Sequence, residues 1–140
     1  MLSNSVLVWV EYARNDIELG MLAMNSVRNP RLRPYELILY HCHQCAEKML
    51  KAYLLHSTGK YDKIHTLDVL RKACLVYDIG FGSKRIIDHC LYLDTFWNVK
   101  YPDFTASIDL VLVTRGINSA KRIYDFVSER LGLGKVYFNG

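Results

Sequence analysis

The sequence is poor in the features that mark exported, membrane-bound or nucleotide-cleaving chains. No signal peptide is expected from the N-terminal pattern: Val6 to Val10 is apolar but short, and Glu11, Arg14 and Asp16 follow at once. No run approaches the roughly 20 apolar residues of a membrane span. Without an export signal the expected compartment is the cytoplasm, where Cys42, Cys45, Cys74 and Cys90 stay as thiols. Only three prolines occur, Pro30, Pro34 and Pro102, all where a helix should begin or end. No strand-period alternation and no internal repeat is found. Phosphate loops, dinucleotide fingerprints and Ser/His/Asp arrangements are missing too.

What is present is apolar and aromatic. Of 140 residues, 51% are hydrophobic, which suits one domain over 1–140 with its own core and excludes disorder. Ten tyrosines and two tryptophans exceed what a core alone asks for and leave rings for a partner surface. The net charge of +4 is scattered, compatible with phosphate binding without demanding it.

Helical periodicity predicts an all-α fold, an up-and-down antiparallel bundle of about five helices. The cleanest signal is last. Leu110, Val113, Ile117, Ala120, Tyr124, Val127 and Leu131 form a narrow seam, predicting a helix from Thr105 to Leu131 capped by Thr105 or Ser107. The first helix carries Val6, Val10, Ala13, Ile17, Met21 and Met24 on one stripe. Pro34 suits the first turn of a second helix, Tyr35 to Ser57, ended by Thr58-Gly59-Lys60. A third helix starts at Thr66 and ends near Tyr77; a fourth runs from Lys84 to Trp97.

Two segments carry candidate chemistry. His41-Cys42-His43-Gln44-Cys45 is dense in metal-ligand types, and helical spacing leans His41, Cys42 and Cys45 to one side. Structural zinc sites take two such pairs from separate segments, and no second pair exists, so neither a metal nor a cofactor is expected. Cys42 and Cys45 fall on the apolar face, where thiols are inert. Beside that face run Gln44, Glu47, Lys48 and Lys51, a polar strip that reads either as a phosphate contact or as a solvated face, since Glu47 and Lys51 have the favourable order of a surface pair. The second segment is Trp97 to Asp103. There Lys100 could meet a phosphate, Tyr101 could stack on a base, and Asp103 could orient either or simply cap the next helix.

These segments, in this order, resemble the HEPN family, the higher-eukaryote and prokaryote nucleotide-binding domain. Trp9, Ala13 and Asp16 match its first helix, and the block from His41 to Leu54, with His43-Gln44 and Ala46-Glu47-Lys48, matches its second. Gly59, then Ile64-His65-Thr66-Leu67, then Lys100-Tyr101-Pro102-Asp103 fall where the family has a loop glycine, a T-H-x-L start and an R-Y-P-D end. The resemblance implies a helical bundle that pairs as a homodimer, often beside a small nucleotidyltransferase in toxin–antitoxin pairs. With the aromatic content, it favours the first and fourth helices as the contact. It points to Gln44, Glu47, Lys48, Lys51, His65, Lys100, Tyr101 and Asp103 as the nucleotide or RNA surface.

Family members with an arginine followed a few residues on by a histidine are metal-independent ribonucleases, the motifs of two subunits meeting in a dimer cleft. Here no histidine follows position 100; Arg85 and His89 stand one residue too close; Lys60 and His65 have the spacing but lysine replaces arginine. Lysine brings charge without arginine's two-pronged grip on phosphate. The expectation is therefore a non-catalytic binding module. A ribonuclease using His43 or His65 as base, and a purely structural interaction module, are the alternatives.

Overall fold

The computed structural model describes residues 1–61, 63–100 and 107–138, without the side chain of Lys100. Its helices are α1 (Asn4–Ser26), α2 (Tyr35–Thr58), α3 (Leu67–Leu75), α4 (Lys84–Asp94) and α5 (Leu110–Arg130), with single 3₁₀ turns at Pro30–Leu32, Ile79–Gly82 and Trp97–Lys100. No strand occurs among the described residues, so the all-α bundle predicted by periodicity is the fold. No described helix is long and apolar enough to cross a membrane.

The central element is α2, which packs on α1, α5, α3 and α4. It can do so because it is apolar over most of its circumference: Ile38, Leu39, Cys42, Cys45, Met49, Leu50 and Tyr53 are all buried. Where α5 meets it, Gly116 supplies the closeness. A Cβ there would stand 2.4 Å from Leu39 Cδ2, which is itself fully buried. The α5 seam holds through Val113, Ala120, Tyr124, Val127 and Leu131, whereas Leu110 is exposed and Ile117 half-buried. All four cysteines are free and buried. Burial pushes the Cys42 and Cys74 thiols up to about 12, and Cys45 and Cys90 upward as well.

The helix ends differ from expectation in instructive ways. Pro34 takes the N-cap rather than the first turn of α2, and α2 closes on Gly59, whose φ of 81° is left-handed and whose N–H reaches Leu55 O at 2.8 Å. Thr66 makes no side-chain cap on α3. The Asp94 carboxylate does that work from the end of α4, accepting the Leu67 N–H at 2.8 Å and the Asp68 N–H at 3.0 Å. α4 stops at Asp94 rather than Trp97, because Thr95 and Phe96 donate to carbonyls three residues back and tighten the chain. α5 begins at Leu110, capped by Asp109, whose side chain accepts the Leu112 N–H at 2.9 Å; Ser107 is not the cap, and Thr105 lies outside the described residues.

Candidate functional site

The polar strip of α2 is neither a solvated face nor a row of free cations. Glu47 and Lys51 are each only 4% exposed. Lys51 Nζ donates to Glu47 Oε2 at 3.0 Å, and the same oxygen lies 3.1 Å from His65 Nδ1. Gln44 Nε2 reaches the other Glu47 oxygen at 3.5 Å. One turn before, Lys48 bonds Asp16 of α1, and Asp16 also holds His41 Nδ1 at 2.8 Å. Each cation of the strip thus faces a carboxylate, and a buried pair of this kind persists only because both partners are present.

A third carboxylate joins the seam from α4. The buried His43 ring lies with Nε2 3.1 Å from Asp94 Oδ1, the oxygen that also takes the Leu67 N–H. His43 Nδ1 is 3.9 Å from Glu47 Oε1, too far for a hydrogen bond. The α2 histidine therefore ties α2 to the carboxylate that caps α3. No buried polar side-chain atom among the described residues lacks a partner, so the seam is fully satisfied, which is the condition for such a network to order a core.

The seam opens to solvent at one place. The His65 side chain is 59% exposed while its Nδ1 is anchored by Glu47. That anchoring leaves Nε2 as the outward ring nitrogen, able to donate to or accept from a ligand. Next to it on the same cluster, Lys51 Nζ lies 5.6 Å from the centre of the Tyr61 ring, and Tyr61 meets Trp9 edge-on at 4.8 Å. Tyr61 also lines a shallow groove of about 270 Å³ with Thr58, Lys60 and Tyr77.

The structure thus gathers Gln44, Lys51 and His65 around Glu47, Lys48 and His41 on Asp16, and His43 on Asp94, three neighbouring clusters along α2. Tyr101 and Asp103 lie outside the described residues, as does the Lys100 side chain. Asp94 was missed in sequence because an acid that caps a helix distant in the chain leaves no local pattern. Among the described residues no group of three His, Cys, Asp or Glu side chains could hold a metal ion. Cys42 and Cys45 are fully buried, while His41 turns to Asp16. Chemically, the exposed edge offers an oriented imidazole, aromatic rings and cations whose charge is largely neutralised. That combination can hydrogen-bond and stack against a ligand.

One family model matches the chain, that of the HEPN domain, over residues 6–131. The match takes in the α2 seam, His65 and all five helices. No curated protein and no solved structure matches.

Proposed function

The chain belongs to the HEPN family, and from that premise we propose that it is a nucleotide- or nucleic-acid-binding module that dimerises and works beside a small nucleotidyltransferase, in the manner of a toxin–antitoxin pair, without cutting RNA itself. Family membership supports a nucleotide- or RNA-related role. The observation that carries the ligand-binding part is His65, held by Glu47 and presented to solvent beside Tyr61. In this reading Glu47 and Lys51 position the edge, while His65, Gln44, Lys48, Lys100, Tyr101 and Asp103 supply its contacts. Dimerisation is supported by a second apolar stripe on α1. Val8, Tyr12, Leu19 and Leu22 are exposed at coiled-coil spacing, opposite the buried Val10, Ala13 and Ile17.

The test is calorimetric titration of the protein with mononucleotides and short RNAs, repeated with His65→Ala and Lys100→Glu. Binding that weakens in both variants supports the reading. No heat with any ligand would leave only a role in pairing with proteins, to which the α1 stripe is suited.

One observation favours a second reading. An imidazole fixed by a carboxylate is how a general base is oriented, and Glu47–His65 has that form. Labelled RNA incubated with chelator separates the two. Cleavage that persists under chelation and vanishes in His65→Ala would make the protein a metal-independent ribonuclease with a divergent site.

A further inference from the structure

The charges of α4 and α5 are arranged unlike those of α2. Between these helices runs a groove of about 530 Å³ lined by Lys84, Arg85, Asp88, His89, Arg115 and Ser119. It continues past Arg85 and Arg122 into a smaller hollow of about 130 Å³ against Phe126 and Phe138. Arg115 lies over Tyr92, 4.1 Å from the ring centre, and Arg122 over Phe138 at 3.5 Å. Among the described residues, Arg85, Arg115 and Arg122 have no carboxylate within ion-pair reach. The acids nearby are engaged elsewhere: Asp125 accepts the backbone N–H groups of Val136, Tyr137 and Phe138, and Glu129 pairs with Arg130 and Lys135. Asp88 alone lines the groove without such a bond.

Three guanidinium groups converge on one imidazole. Burial, then the charges of Arg122 and Arg85, hold His89 below its ordinary pKa, with Arg115 adding to the same effect against Asp88. The ring is fixed through Nδ1, 2.9 Å from Ser119 Oγ, so Nε2 remains as its other hydrogen-bonding position. A neutral imidazole among unpaired arginines fits a ligand that is anionic but also carries hydroxyls.

Spacing narrows the ligand further. Arg115 and Arg122 are seven residues apart on one face of α5, about 10 Å along the axis at 1.5 Å per residue. That exceeds one phosphate and suits a chain of them. A groove of about 530 Å³ set between two packed helices suits a single backbone strand better than a duplex. Guanidinium planes already stacked on rings lose little freedom when they grip phosphate oxygens in pairs. We propose that the α4–α5 groove binds the phosphodiester backbone of single-stranded RNA, with Arg85, Arg115 and Arg122 on its phosphates and His89 beside a sugar hydroxyl. The site uses none of the residues of the His65 edge.

The measurement is fluorescence anisotropy of a 5′-labelled oligouridylate of about twelve nucleotides, a length typical of single-strand sites, over a range of salt. The wild-type protein should bind with a log–log salt slope of about −2, three phosphate contacts contributing roughly 0.7 each. Arg85→Gln/Arg122→Gln should weaken binding about tenfold or more and flatten the slope, with the circular-dichroism spectrum unchanged. Lys72→Gln, at an exposed lysine of α3 outside both sites, should leave affinity as it was. Equal affinity in the double variant, no binding by the wild type, equal affinity for a duplex, or displacement by polyglutamate as readily as by unlabelled RNA would each overturn the proposal. Loss of binding in His65→Ala alone would also overturn it while supporting the His65 edge.

Discussion

The α2 seam and the α4–α5 groove both carry cations and use them oppositely. Along α2, Lys48 and Lys51 each meet a carboxylate of the same chain, and three acids from α1, α2 and α4 interlock with three histidines. Along α4 and α5 three of the cations are arginines without a carboxylate among the described residues, and two of these rest on aromatic rings. Residue type follows role. A buried lysine is a compact charge that one carboxylate can neutralise, whereas a guanidinium keeps planar donors for an external oxyanion after stacking. Charges in the first region hold the fold together, and those in the second remain available.

The comparison can be broken most easily at Glu47. Glu47→Ala strands Lys51 in the core and should lower stability by about 3–5 kcal/mol in urea denaturation. Glu47→Leu/Lys51→Met should recover much of that loss, since both charges go together. A loss below about 1 kcal/mol for Glu47→Ala would mean that the seam is solvated after all. Next in size is Asp94→Ala, which removes one acceptor from two α3 amides and from His43. About 2 kcal/mol is expected, with faster hydrogen exchange at Leu67 and Asp68. In the groove, Arg85→Gln and Arg122→Gln should stay within about 0.5 kcal/mol of the parent; a larger drop would show that these arginines also serve the fold. The smallest effect concerns the core between the regions. With the Cys42 and Cys74 thiols pushed up to about 12, native protein at pH 8 should react with none of its four cysteines. The thiolate is the reactive form and exists only above the raised pKa. Reaction of all four should appear once the chain is unfolded.

The fold was legible because helices announce themselves locally. The α5 seam and the α1 stripe are written at helical spacing, and Gly59 closes α2 where a left-handed residue is needed. What was not legible depended on residues far apart in sequence. Asp94 capping α3 is such a case, and so is Asp16 turning Lys48 inward. The order of Glu47 and Lys51 pointed to a surface pair; burial beneath the Trp9–Tyr61 edge and the His65 loop, both outside the helix, changed its meaning. In the groove, Arg85 and His89 were read only against a family spacing that they miss. Their partners Arg115, Ser119 and Arg122 come from α5, so no contiguous motif could bring them together. The His65 site lies between these extremes: the I-H-T-L segment marked the residue, but only the structure shows Glu47 behind it.

We propose that this HEPN chain binds nucleotides or RNA and leaves RNA uncut. A single experiment reads both halves. End-labelled single-stranded RNA is titrated with the protein in chelator, anisotropy is recorded, and the same samples are then run on a denaturing gel. A saturable rise in anisotropy, with full-length RNA in every lane, is the expected result. A flat anisotropy trace, or RNA shortened in the wild-type lanes and intact with His65→Ala, would contradict it.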